Sequence, residues 1–250
     1  MLQFRSRFLH TPEVSAIESP SFSADPSLSL VSTRELEVGK LAKETLIAFM
    51  QYSKGEGAKV YYRLTTEQRQ ARAEFMFRHR DWGNSYDRLC KALQRELADL
   101  VIQQKQHLDE ALRLEGESLL QRQRITEAML ESSLREHLSD SLVQQLVRDA
   151  NSYPPPQSLS LPLERLYEIF AYRTGRAKTL RRCLPSMEPE KQLVVLLILI
   201  ADETFQRFEI TDEQANWAFK HAKVERDSAY VQRFSSLQRD FDEACGGLKP

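Results

Sequence analysis

Apolar residues along this chain recur mainly at three- and four-residue intervals, the spacing that places them on one face of an α-helix. Leu36, Leu41, Leu46, Ile47 and Met50 form the first such stripe. It predicts a helix that starts at Ser32 or Thr33 and ends at a Lys54-Gly55-Glu56-Gly57 turn. A second helix is expected from about Thr66 to Arg80, because Thr65-Thr66-Glu67-Gln68 has the pattern of a capping box. Asp81-Trp82-Gly83-Asn84 then reads as a turn, with Asn84 or Ser85 capping the next helix. Between Ser85 and Ala150 there is no proline, and Gly116 is the single glycine. The heptads there are too irregular for one long coiled coil. Two or three antiparallel helices are expected, with breaks near Gly116 and near Ser139-Asp140.

Tyr153-Pro154-Pro155-Pro156 has to leave the helical state and is the clearest boundary in the chain. Such a run also serves as a ligand for SH3 or WW domains, but a stiff linker is the preferred reading. Beyond it, Pro162 opens a helix with Leu163, Leu166, Tyr167, Ile169 and Phe170 on one face, and Gly175 is expected to cap its end. A short helix from Arg176 to Leu184 stops at Pro185, and an apolar helix runs from Ser186 or Pro189 to Phe208. Thr211 and Gln214 form a capping box for a last helix that runs to about Cys245 and ends at Gly246-Gly247. The expected fold is therefore all-α. It comprises a disordered N-terminal tail (1–32), a helical region (33–150), a Pro-rich linker (151–161) and a C-terminal bundle or small superhelix (162–250).

Composition supports that class. Eight glycines in 250 residues, and a middle rich in Leu, Glu, Gln, Arg and Ala, favour helix over strand. The Ser- and Pro-rich stretch from Thr11 to Ser32 buries too little to offset its ordering entropy. Arg5, Arg7 and His10, with no acid before Glu13, would also suit a short presequence, although a disordered tail is preferred. Thirty-five basic and 36 acidic residues leave a net charge of -1, which argues against nucleic-acid binding driven by overall charge. The longest apolar run, Leu193 to Ala201, is nine residues against the roughly 20 a membrane span needs. No membrane partner is expected.

Signatures of chemistry are sparse. Cys90, Cys183 and Cys245 are far apart and form no C-x-x-C pair, so neither a disulfide framework nor a zinc knuckle is indicated. This fits a reducing, cytoplasmic setting. His10, His79, His107, His137 and His221 lack the spacing of metal ligands. Walker, Rossmann and G-x-S-x-G patterns are missing, so no cofactor and no catalysis are expected. The most unusual local feature is Arg173, Arg176, Lys178, Arg181 and Arg182, five cations in ten residues with no acid among them. Arginine grips phosphate or carboxylate through two donors, so this group is the candidate binding surface for RNA or an acidic partner. The competing reading is a helix face balanced by acids elsewhere, with Glu164 and Glu168 supplying part of the balance. A second group, Arg63, Arg69, Arg72, Arg78 and Arg80, is diluted by Glu67 and Glu74 and reads as a solvated face.

Three stretches in order along the chain resemble the Pat family of mRNA decapping activators, also known as topoisomerase II-associated proteins. Leu46 to Arg63 is similar to an amphipathic segment ending in paired aromatics, here Tyr61-Tyr62. Leu100-Val101-Ile102, Lys105, Leu108, Leu112 and Glu115 look like the first helix of that family's C-terminal domain. Ile169, Gly175-Arg176-Ala177-Lys178 and Arg182-Cys183-Leu184-Pro185 resemble its basic turn, short helix and Leu-Pro step. Only 65 residues follow Pro185, fewer than the family's superhelix uses. The resemblance implies a non-catalytic cytoplasmic scaffold in mRNA decay. It would dock on the Lsm ring and the decapping enzyme and touch RNA through Arg176, Lys178, Arg181 and Arg182. The alternative is a helical regulatory or assembly protein, such as a bacterial secretion-system or phage component, acting through protein contacts alone.

Overall fold

The computed structural model describes residues 30–82, 85–150, 152, 153, 155, 157, 159–222 and 228–246. Among them it shows nine α-helices, two short 3₁₀ turns and no strand, so the chain is all-α. The predicted disordered tail lies outside the described residues as far as residue 29. Leu30 and Val31 are tied down: Leu30 N donates to Gln123 Oε1 at 2.7 Å, and Val31 is buried.

Helix α1 (Thr33–Val38) starts where the sequence predicts, with Ser32 and Glu35 in a reciprocal capping box, and Gly39 ends it in the left-handed region at φ 71°. Helix α2 (Lys43–Arg78) then runs for 36 residues through both the predicted glycine turn and the predicted second cap. Neither is used, for local reasons. Thr65 and Thr66 donate their hydroxyls to the Tyr61 and Tyr62 carbonyls at 2.8 and 2.7 Å, which satisfies them inside the helix. Gly57 is helical and serves close approach instead: a Cβ there would lie 3.1 Å from the Tyr153 hydroxyl oxygen. Tyr153 itself folds back on α2, stacking on Tyr61 at 4.9 Å and accepting the Tyr62 hydroxyl at its carbonyl.

Helix α3 (Lys91–Arg122) lies antiparallel to α2. Gln68 Nε2 donates to Gln104 O, while Phe75 shares an apolar cluster with Leu97 and Leu46 shares another with Leu119. Gly116 does not break it. The break falls at Gln123-Arg124, with Arg124 at φ 57° and Ile125 N bonded to Leu120 O. Helix α4 (Glu127–His137), capped by Thr126, and helix α5 (Ser141–Arg148), capped by Asp140, fold back against the start of α2. The expected break before Asp140 is present.

After the prolines, helix α6 (Leu163–Arg181) passes straight through Gly175, merging two predicted helices into one. Helix α7 (Pro189–Phe208) has the predicted span and ends on Glu209 at φ 59°. The predicted last helix divides into α8 (Asp212–His221), with the expected Thr211–Gln214 capping box, and α9 (Ser228–Gly246). Phe219 and Phe234 explain the division. Their rings meet at 4.9 Å, whereas one straight helix would hold them about 22 Å apart.

The largest apolar cluster joins Phe75, Leu97 and Val101 of α2 and α3 to Leu180, Val195, Ile200 and Cys245 of α6, α7 and α9. Residues on both sides of the proline boundary therefore share one core. At the other end of the hairpin, Leu46, Phe49, Leu119, Met129 and Val143 form a second cluster.

Candidate functional site

With Gly175 in mid-helix, four of the five predicted cations lie on α6 and Arg182 is its C-cap, and the fold commits most of them internally. Arg173, almost buried, donates to Asp212 Oδ2 at 2.8 Å. Arg176 makes a two-pronged contact with Glu203, Nε to Oε2 at 2.5 Å and Nη2 to Oε1 at 2.9 Å, and Nη2 also reaches Asp87 at 2.5 Å. Lys178 pairs with Asp240 at 3.0 Å, both exposed. Arg181 donates to the carbonyls of Glu243 and Ala244 and so caps the C-terminal end of α9. Arg182 alone of the five is exposed and outside the ion pairs of the described residues. The balancing acids come from α7, α8, α9 and the 3₁₀ turn Tyr86–Arg88, not from α6: Glu168 pairs with Arg165 instead.

The second arginine group departs further from its reading as a solvated face. Arg63 does pair along the helix with Glu67, at 3.6 Å. Arg72, however, is buried and grips Asp202 through Nε at 2.5 Å and Nη2 at 2.8 Å, with Nη1 on Gln104 Oε1 at 2.6 Å. Arg69 lies beside it, 4.4 Å from the Phe205 ring centre and 3.7 Å from Asp202. Together with Tyr61, whose hydroxyl donates to Glu213 at 2.6 Å, these contacts tie α2 to α7 and α8. Burial first, and then the Glu213 charge, push the Tyr61 phenol far above its ordinary range, so it stays a donor.

Two large exposed aromatics sit at the end of the α2–α3 hairpin. Phe77 is 66% exposed and Trp82 55% exposed, the latter in the 3₁₀ turn Arg80–Trp82. Arg80 stacks over Phe77 at 4.4 Å, and Arg78, Arg88 and Lys91 are exposed nearby without an ion pair among the described residues. Arg176 reaches Asp87 in the turn leading into α3, so the end of α6, carrying Arg182, lies on the same side. Nothing in the sequence distinguished these aromatics; their exposure is a product of the fold.

A cavity of about 360 Å³ opens between α2 and α7. Cys90, Cys183 and Cys245 are free thiols. Among the described residues, no group of His, Cys, Asp or Glu has metal-site geometry, and no helix is long and apolar enough to cross a membrane. Comparison of the chain with family models, with curated proteins and with solved structures finds no match.

Proposed function

We propose that this chain is a non-catalytic helical adaptor that meets an anionic macromolecule, RNA in the first instance, through the end of the α2–α3 hairpin. One observation carries the reading: two large aromatic side chains stand exposed there among cations that have no ion pair among the described residues. A buried aromatic contributes to a core, whereas an exposed one beside free arginines offers a flat face and charge to a partner. Bases stack on such faces while arginine and lysine take the phosphates. The resemblance to the Pat family supports cytoplasmic mRNA decay as the setting, with the Lsm ring and the decapping enzyme as protein partners. Of the residues that resemblance marks, Lys178 and Arg182 are exposed, and Arg182 stands outside the ion pairs of the described residues.

Affinity purification from native cells, with and without ribonuclease, tests the proposal against a Phe77→Ala/Trp82→Ala double variant. Specific partners are expected with the natural chain and are lost with the variant at unchanged melting temperature. Equal recovery by both proteins would remove the hairpin end as the contact surface. Recovery that ribonuclease leaves untouched would replace RNA by a protein partner.

A further inference from the structure

The cavity between α2 and α7 is a second, chemically distinct feature. Its volume, about 360 Å³, lies within the range of small-molecule sites. Met76, Leu97, Leu199 and Phe205 supply apolar wall. The charges on the wall are unevenly matched. Asp202 has both oxygens taken by Arg72, and Glu203 has both taken by Arg176. Arg69 is left over. It makes no hydrogen bond among the described residues; its Nε, shielded from the cavity, faces its nearest carboxylate oxygen, Asp202 Oδ1, only at 3.7 Å. The Arg69 side chain as a whole is 21% exposed on the cavity wall, so its charge is open to a ligand there. Glu209, the remaining charged group on the wall, is exposed, where water and salt weaken its field.

We propose that this cavity binds a small amphipathic carboxylate, its apolar body against Phe205, Leu199 and Met76 and its head on Arg69. The guanidinium fork matches the two oxygens of a carboxylate. The neighbouring Asp202 and Glu203 disfavour a second negative charge, so a monoanion fits better than a phosphate dianion. Stacking on Phe205 holds the Arg69 plane in place before anything arrives. This inference stands apart from the adaptor reading.

Calorimetric titration of the full chain with decanoate, decyl phosphate and decylammonium, each below its micellar concentration, tests it. Decanoate is expected to bind one to one, about tenfold more tightly than the other two, which corresponds to about 1.4 kcal/mol. Arg69→Met is expected to lose that preference while still taking the decyl chain. Ala73→Phe, a change at an exposed position on the cavity wall, is expected to abolish binding at unchanged melting temperature. Equal affinity for the three probes, tighter binding of decyl phosphate, or an undiminished preference in Arg69→Met would each overturn the assignment. Undiminished binding in Ala73→Phe would place the site elsewhere. None of these outcomes bears on partner capture at the hairpin end.

Discussion

The arginines around Gly175 and those at the end of α2 look alike as sequence, dense in cations and placed on helices, yet the fold puts them to opposite uses. Around Gly175, Arg173 and Arg176 are drawn inward to acids on other helices. At the end of α2, Arg78 and Arg80 stay in water and lie over aromatic rings. The difference lies in what packs opposite. Helix α6 faces α7, α8 and α9, whose carboxylates are within reach, while Arg78 and Arg80 pair with no carboxylate among the described residues. Density of charge along a chain therefore marks candidates, and the partner across the interface decides which of them can act.

The largest effect expected from this contrast is on stability. Arg176→Met leaves Glu203 charged and nearly buried without its partner, at a cost of about 3–5 kcal/mol, whereas Arg182→Met costs within about 0.5 kcal/mol. Urea unfolding midpoints measure both, and equal midpoints would erase the distinction between the two groups. Next comes Gly175→Ala. In mid-helix with open space around it, the change is expected to stabilise by about 0.5–1 kcal/mol; a loss would restore the predicted left-handed cap and with it the predicted turn. The smallest effect is on acid stability. Partial burial raises the Asp87 carboxyl, but hydrogen bonding and charge from Arg176 outweigh that and hold it below its ordinary value. A carboxylate depressed in the folded state adds stability above its unfolded pKa, near 4, and that increment disappears as pH falls through the folded value. Arg176→Met should therefore flatten the stability-against-pH curve below about pH 4, and a slope equal to that of the natural chain would show that Asp87 is not held by Arg176.

Much of the architecture is legible in the sequence itself. The helix starts at Ser32 and Thr211, the break at Asp140 and the span of α7 follow from capping side chains, proline and apolar spacing, all local effects. The misread boundaries share one cause. Gly55, Gly57, Gly116 and Gly175 look like punctuation, but glycine only permits a turn, and packing along α2, α3 and α6 keeps each of them helical. Conversely, α3 stops at Arg124 and α7 at Glu209, both with positive φ and neither a residue type that advertises a stop.

The basic group at Gly175 stands out in the sequence because chemistry can be read from residue types. The exposed end of the hairpin does not, because exposure cannot be read that way. The amino-acid sequence alone determined that this chain is helical, where several helices begin, and which stretches are rich in cations. Only the tertiary structure decided the use of those cations, because Asp202 meets Arg72 across 130 residues and Asp212 meets Arg173 across 39. Ion pairing acts over a few ångströms in space, and separation along the chain carries no information about it.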